Sequence, residues 1–297
     1  MKQRLLFLLT LFLSWLPFAS QAQRVVKKNT AGNTKSLLWR ITGNGLKDTS
    51  YVMGTIHLIC KDDYFFTPAM DSAIHQVDNL VLEMDISDPR MLTSFQDSMK
   101  LPAGQRLRDF FHSEEEYTQF KMDMNKALGM DISPLEGYKP FLLLSMLTTS
   151  AFSCKEQASY ETKLSGMANY RGMRVIGLET FDEQLRVFDG LNKEAMRGLL
   201  LESLKESKQT DKTMQKMVGL YKKQDLDGLY KLMSESADMK SSQDALLFDR
   251  NKRWAERLPD IMNQSSVFIA VGAAHLPGQA GVLNLLREKG YTVEALK

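Results

Sequence analysis

Apolar positions set the first elements of the chain. Residues 37–43, LLWRITG, alternate and enter a polar turn, NGLKDTS, that contains Asn-Gly; the apolar run YVMGTIHL follows. Two β-type runs joined in this way predict a hairpin with a longer loop. In TPAMDSAIHQVD, Thr67 precedes Pro68, a cap followed by a first-turn proline, so a helix is expected to start there. NLVLEMD (79–85) reads as a buried strand. The strand–helix–strand order predicts parallel pairing across a right-handed crossover.

The middle of the chain reads as helical. Ser113 and Glu116 form a capping-box pattern ahead of EEEYTQFKMDMNKAL, and Gly129 closes it. YKPFLLLSMLTTSAF is apolar nearly all round, which predicts a buried helix. GMRVIGLET (172–180) is a strand and DEQLRVFDGL opens the next helix. The charged, Met-containing text from about 193 to 257 predicts several amphipathic helices. SSVFIAVGAAHL is again a strand, GQAGVLNLLREKG a helix closed by Gly290, and YTVEAL a last strand.

One phrase occurs twice. YVMGTIHL and VFIAVGAAHL each run from a strand through G-x-x-H-L, and they hold His57 and His275, two of only four histidines. Parallel strands with helical crossovers gather ligand residues at their carboxyl ends, so two equivalent strand ends can present two imidazoles to one site. The expected fold is α/β, with a largely parallel central sheet flanked by helices, a helical middle region and two β-α-β halves, each carrying a G-x-x-H motif.

Residues 1–22 change the charge picture. Lys2 and Arg4, the run LLFLLTLFLSWLPF and the small residues Ser20 and Ala22 have the order of a secretory signal peptide. Cleavage after Ala22 takes the formal net charge from +2 to 0, which gives no support for nucleic acid or an anionic membrane as partner. Residues 23–36 read as a polar leader and 37–297 as one domain, outside the cytoplasm (periplasmic or secreted) and without a stable membrane anchor. In that compartment Cys60 and Cys154, the only cysteines, favour a disulfide over a thiol metal site.

Glu83 stands inside an apolar strand and Glu179 ends another. A carboxylate so placed is either part of a site or one half of a buried ion pair. Neutral imidazoles with carboxylates suit a divalent cation. His75 and His112 lack matching partners and read as surface or cap residues. The eighteen methionines are scattered and read as core filler.

Together LLWRITG…YVMGTIHL, NLVLEMD, SYETKLSGMANYRGMRVIGLETFDEQL, LLFDRNKRWAERL and VFIAVGAAHLPGQAGVLNLLREKGYTVEAL resemble the TraB/GumN (TraB–PrgY–GumN) family. That family includes the Tiki metalloproteases and is related to the erythromycin esterase and ChaN-like proteins. The resemblance implies a mixed α/β fold with paired G-x-x-H motifs, acidic residues and an arginine at the presumed active site. Carried over, these are His57, His275, Glu83, Glu179 and Arg250 of the DRN phrase; Glu161 of SYETKL matches by acidity. Without the resemblance, Arg250 reads as an ordinary helix-surface arginine.

The implied chemistry is hydrolysis of a peptide or protein substrate with a divalent metal ion (manganese, cobalt or zinc). His57 and His275 hold the ion with Glu83 or Glu179, and the remaining glutamate serves as base. Arg250 stabilises an oxyanion or clamps a substrate carboxylate. The alternative is a catalytically inactive binding protein that uses the same cleft for a peptide or signalling molecule.

Overall fold

The computed structural model describes residues 35–89, 98–150, 152, 154–235 and 243–297, with side chains omitted for 206–212. The expected signal peptide and most of the expected leader lie outside these residues. Ser36, the last residue read as leader, is fully buried and donates a hydrogen bond to the Leu296 carbonyl.

Six strands form the central sheet: β1 (Leu38–Gly43), β2 (Ser50–Thr55), β4 (Asn79–Met84), β6 (Arg174–Glu179), β7 (Val267–Gly272) and β8 (Tyr291–Leu296), in the order β6-β4-β7-β2-β1-β8. Strands β6, β4, β7 and β2 run parallel, whereas β1 is antiparallel to both its neighbours, as the hairpin pattern requires for β2. The sheet is therefore mixed and mostly parallel. The carboxyl ends of β2, β7, β4 and β6 share one edge. Two short strands, β3 (Leu58–Cys60) and β5 (Gln157–Ser159), pair separately and antiparallel.

One expected pairing is corrected. β2 and β4 run in the same direction across helix α1 (Pro68–His75) but do not touch, because β7 lies between them. All six residues of β7, VFIAVG, are buried. A strand apolar on both faces gains most at the sheet centre, where burying each large side chain is worth about 1.5–3 kcal/mol. β8, the counterpart of β4 in the second half, pairs only with β1 among the described residues.

The helices begin where the sequence signals place them. Thr67 accepts a hydrogen bond from the Met70 amide at the start of α1, and Ser113 does the same for Glu116 at the start of α2 (Glu114–Leu128). Helix α3 (Pro140–Ser150) differs from expectation: only Pro140, Leu143 and Leu147 are buried, and the rest is half-buried or exposed. It packs with α2 and with α6 (Lys193–Lys222) around a satellite core that includes Phe120, Leu147 and Leu200, separate from the core on the sheet. A satellite core has fewer neighbours to cover an all-apolar helix.

Helices α4 (Tyr160–Arg171), α5 (Phe181–Asp189), α7 (Leu226–Ser234), α8 (Asp249–Gln264) and α9 (Val282–Glu288) complete the described elements. A π-helical turn, Asp244–Phe248, leads into α8. The buried face of α8 carries Arg250, Asn251, Trp254, Ala255, Leu258 and Met262. Cys60 and Cys154 form a disulfide with Cα atoms 5.8 Å apart. It lies at the β3–β5 ladder, where Cys60 pairs with Gln157. Among the described residues no helix is long and apolar enough to cross a membrane.

Candidate active site

His57 follows β2 and His275 follows β7, and these strands are neighbours in parallel register, with Thr55 opposite Gly272. The two rings meet at one carboxylate. Glu83 Oε1, from β4, lies 3.8 Å from His57 Nε2 and 3.9 Å from His275 Nε2, so the two nitrogens are no more than about 8 Å apart. The two G-x-x-H stretches thus belong to one cluster.

The motif glycines explain that closeness. A β-carbon on Gly54 would lie 3.0 Å from Ala273 Cα and 3.1 Å from Ala273 Cβ, inside the second motif. A β-carbon on Gly272 would lie 3.0 Å from His57 Nε2, 3.3 Å from Glu83 Oε1 and 3.4 Å from His275 Cδ2. Each glycine makes room for the other motif.

The histidines differ in setting. His57 has a left-handed backbone (φ 58°) and a side chain 55% exposed. Its Nδ1 is 2.9 Å from Glu161 Oε1, which also accepts the Thr55 hydroxyl at 2.7 Å. Desolvation by the surrounding strand ends works against its charge, although the ring keeps an exposed face. The Glu161 hydrogen bond and the Glu83 and Glu161 charges outweigh this and push its pKa up to about 9. Burial likewise opposes ionisation of Glu161, but His57 and Thr55 hold its carboxyl below the usual range.

His275 is buried. Its Nδ1 lies 2.6 Å from Asn251 Oδ1, its Nε2 lies 3.3 Å from Arg250 Nη1, and its ring is 4.4 Å from that of Trp254. Burial first, then Arg250 and His57, outweigh Glu83 and bring its pKa down to about 3. This imidazole is neutral at neutral pH.

Arg250 is the hub beneath both rings. Nε donates to Glu179 at 3.0 Å, and Nη2 reaches Glu83 Oε2 at 2.6 Å and Glu179 Oε2 at 2.8 Å. Nη1 donates to the Leu246 carbonyl of the π turn and faces His275 Nε2, each at 3.3 Å. Every nitrogen of the guanidinium thus has a protein acceptor, drawn from Glu179, Glu83, the Leu246 carbonyl and His275. Glu83 also accepts the Gly272 amide at 2.7 Å. Burial raises its carboxyl, but His275, His57, Arg250 and that amide bring it to about 2. With His275 neutral above about pH 3, Arg250, the amide and protonated His57 keep Glu83 ionised at neutral pH.

Of the residues singled out from sequence, His57, His275, Glu83, Arg250 and Glu161 are joined by direct contacts. Glu179 is attached to them only through Arg250 and also pairs with Arg253 at 3.3 Å; its side chain has no solvent exposure. No contact joins Glu179 to either histidine among the described residues. His75 and His112 are exposed, away from the cluster, on Asp71 and Glu194 respectively. Asn251, Trp254 and Thr55 were not singled out. The helical period of α8 is the signal for the first two, since 250, 251 and 254 share its buried face.

Among the described residues no group of three or more His, Cys, Asp or Glu side chains is arranged to hold a metal ion. The donor types at the cluster, two imidazoles and a carboxylate, are ones that divalent cations take. Glu161 on His57 and Asn251 on His275 occupy the Nδ1 atoms, so both Nε2 atoms turn toward Glu83 Oε1, with the Gly272 amide also on that oxygen and Arg250 Nη1 also against His275 Nε2. Outer partners of this kind orient imidazole ligands in metal sites. A cleft of about 510 Å³ flanks the cluster, lined by Met84, Asp85, Glu179, Thr180 and Asp182 among others.

The chain is similar over most of its length to curated metalloproteases, among them the following. It is 23% identical to metalloprotease TIKI2 of Danio rerio over 87% of this chain and 60% of that protein. It is 23% identical to the metalloprotease TIKI homolog of Nematostella vectensis, over 89% and 68%, and 24% identical to human metalloprotease TIKI1, over 87% and 61%. The chain therefore spans about 60% of the length of most of these relatives. No solved structure matches it. The TraB/PrgY/gumN family matches residues 37–295, nearly the whole described fold including every residue of the cluster, and the chain belongs to that family.

Proposed function

We propose that this protein is a metal-dependent hydrolase of the peptidase class, acting outside the cytoplasm, with His57, His275 and Glu83 as its ligand set. The observation that carries the reading is the convergence of both Nε2 atoms on Glu83 Oε1, at 3.8 and 3.9 Å. The similarity to metalloproteases supports the reaction class, and the Cys60–Cys154 disulfide supports an oxidising compartment.

A divalent cation held there supplies Lewis acidity toward a carbonyl oxygen and lowers the pKa of water. The chain's own residues do the rest. Glu161 holds the His57 ring by its Nδ1–H and, at 14% exposure, is the carboxylate best placed to take a proton from water. Glu179 anchors Arg250, and Arg250 holds Glu83 ionised and in place. With all three of its nitrogens turned to protein acceptors, Arg250 acts as a positioning residue rather than as a clamp on substrate.

The test is metal analysis of the purified protein together with turnover of a peptide library before and after EDTA. Stoichiometric metal, loss of turnover with chelator and recovery with manganese, cobalt or zinc are expected. Unchanged turnover in EDTA would overturn the metal reading. Peptide binding without turnover in the metal-loaded protein would favour the inactive binding protein.

A further inference from the structure

We propose that Asn251 is the positioning residue that fixes the tautomer of His275, so that Nε2, the nitrogen on the side of Arg250, Glu83 and the proposed metal position, is the one that carries the lone pair. This inference rests on the metal-dependent reading above for its purpose, but not for its geometry. Asn251 is 1% exposed, and its Nδ2 donates to the Ala280 carbonyl at 2.8 Å. Turning the amide over would set two oxygen acceptors against each other at that distance, with no hydrogen between them. Its Oδ1 therefore faces the ring, 2.6 Å from His275 Nδ1. An amide oxygen only accepts, so Nδ1 carries the hydrogen.

The opposite side of the ring demands the same answer. Arg250 Nη1, 3.3 Å from His275 Nε2, only donates, so Nε2 must be the acceptor. Two unrelated neighbours thus select one tautomer. His57 has the equivalent support from Glu161, but there the partner is a carboxylate on a half-exposed ring. Around His275 two carboxylates, Glu83 and Glu179, are already buried on one buried arginine, with Arg253 also on Glu179. An amide gives direction to the imidazole without adding charge.

A merely structural asparagine would tie α8 to the loop at Ala280 and nothing more. Asn251→Asp and Asn251→Leu separate the two roles, because both lose the N–H to Ala280 while only aspartate keeps an acceptor for Nδ1–H. The full chain, metal-free and labelled with ¹⁵N-histidine, reports the tautomer by NMR, with the His275 signals assigned by their loss in His275→Gln. The wild type and Asn251→Asp are expected to show the Nδ1–H form, and Asn251→Leu a mixture of tautomers, because the contact that remains, with Arg250 at 3.3 Å, is much the weaker of the two. Titration with Zn²⁺ or Co²⁺ should show affinity about 10–100-fold weaker in Asn251→Leu and within several-fold of wild type in Asn251→Asp. If the leucine variant does not fold, Asn251→Ala replaces it.

An Nε2–H form in the wild type would overturn the proposal. So would an unchanged tautomer and affinity in Asn251→Leu, or equal losses in both variants. A wild type that shows the Nδ1–H form but binds neither metal would remove the metal reading and leave the tautomer assignment standing.

Discussion

Gly272 and His57 lie face to face: a β-carbon at position 272 would come 3.0 Å from His57 Nε2. Gly272→Ala therefore fills the space between the two imidazoles. His57 is half-exposed and its ring can swing outward, so the stability loss is expected to stay near 1 kcal/mol. Metal affinity should collapse. Gly54→Ala presses on the Ala273 backbone and on buried Leu276, where nothing can swing away, and about 1–3 kcal/mol should be lost. Urea unfolding and metal titration of the two variants test this. Equal stability losses with metal binding retained in Gly272→Ala would contradict the shared site.

Removing each ring should separate the histidines. His275→Ala opens a cavity under Trp254 and leaves Asn251 Oδ1 without its partner, so about 2–4 kcal/mol should be lost along with metal binding. His57→Gly relieves a left-handed conformation that costs a non-glycine residue about 1 kcal/mol. That gain offsets the lost Glu161 hydrogen bond, and stability should change by less than about 1 kcal/mol while metal binding is lost. Thermal unfolding of the metal-free variants would decide. A large loss in His57→Gly would show that Glu161 depends on the ring for more than one hydrogen bond.

Arg250→Met keeps most of the side-chain volume and removes the charge that pairs Glu83 with Glu179. Breaking a buried pair from one side costs about 3–5 kcal/mol, and Arg253 offsets this only for Glu179. Glu83 should then take up a proton more readily in the fold than in the unfolded chain. The variant's deficit should accordingly be larger at pH 8 than at pH 5. A deficit that does not vary with pH would mean that Glu83 stays ionised without the arginine.

How far this cluster could be read from sequence follows from what each residue contributes locally. G-x-x-H at the end of an apolar run is visible because a strand, a small residue and an imidazole are adjacent in the chain. The carboxyl-edge position of Glu83 is visible because a charge in NLVLEMD has nowhere apolar to go. The central place of β7 was hidden, since a continuous apolar run shows burial but not order in the sheet. Glu179 was ambiguous for the same reason: a buried carboxylate requires a partner, and sequence does not distinguish arginine from metal. Asn251 was hidden because its role depends on Ala280 and His275, which are distant in sequence. The disulfide, by contrast, needed only compartment and count.

That disulfide joins residues 94 apart in sequence. In the chain-entropy model such a link contributes about 4–5 kcal/mol, an upper figure in practice. It also lies at the β3–β5 ladder, and the same segments hold His57 against α4, where the Tyr160 amide donates to the His57 carbonyl at 3.0 Å. Cys60→Ser with Cys154→Ser should lower the denaturation midpoint and weaken metal binding together. Lower stability with unchanged metal affinity would show that the ladder alone positions His57.

The two histidines should also shape stability against pH in opposite senses. His275 has its pKa lowered to about 3, against about 6.5 in an unfolded chain. Between those values the unfolded chain binds a proton that the fold does not, so stability rises with pH, by up to about 1.4 kcal/mol per pH unit for one group. His57 is raised to about 9. From about 6.5 to 9 the fold keeps a proton that the unfolded chain releases, and stability falls as pH rises. Because that ring is 55% exposed, solvent screening makes the alkaline arm the shallower one. Glu83, lowered to about 2, adds to the acid arm only below its ordinary value of about 4.3, so His275 is the group of the cluster that acts between about pH 4.5 and 6.5. A stability maximum near pH 6.5 is therefore expected for the metal-free protein. His275→Gln should flatten the acid arm and His57→Gln the alkaline arm, each measured by urea unfolding in chelator from pH 4.5 to 9. A wild-type profile flat from pH 4.5 to 6.5 would mean that His275 is protonated in the fold, which is incompatible with Arg250 donating to its Nε2.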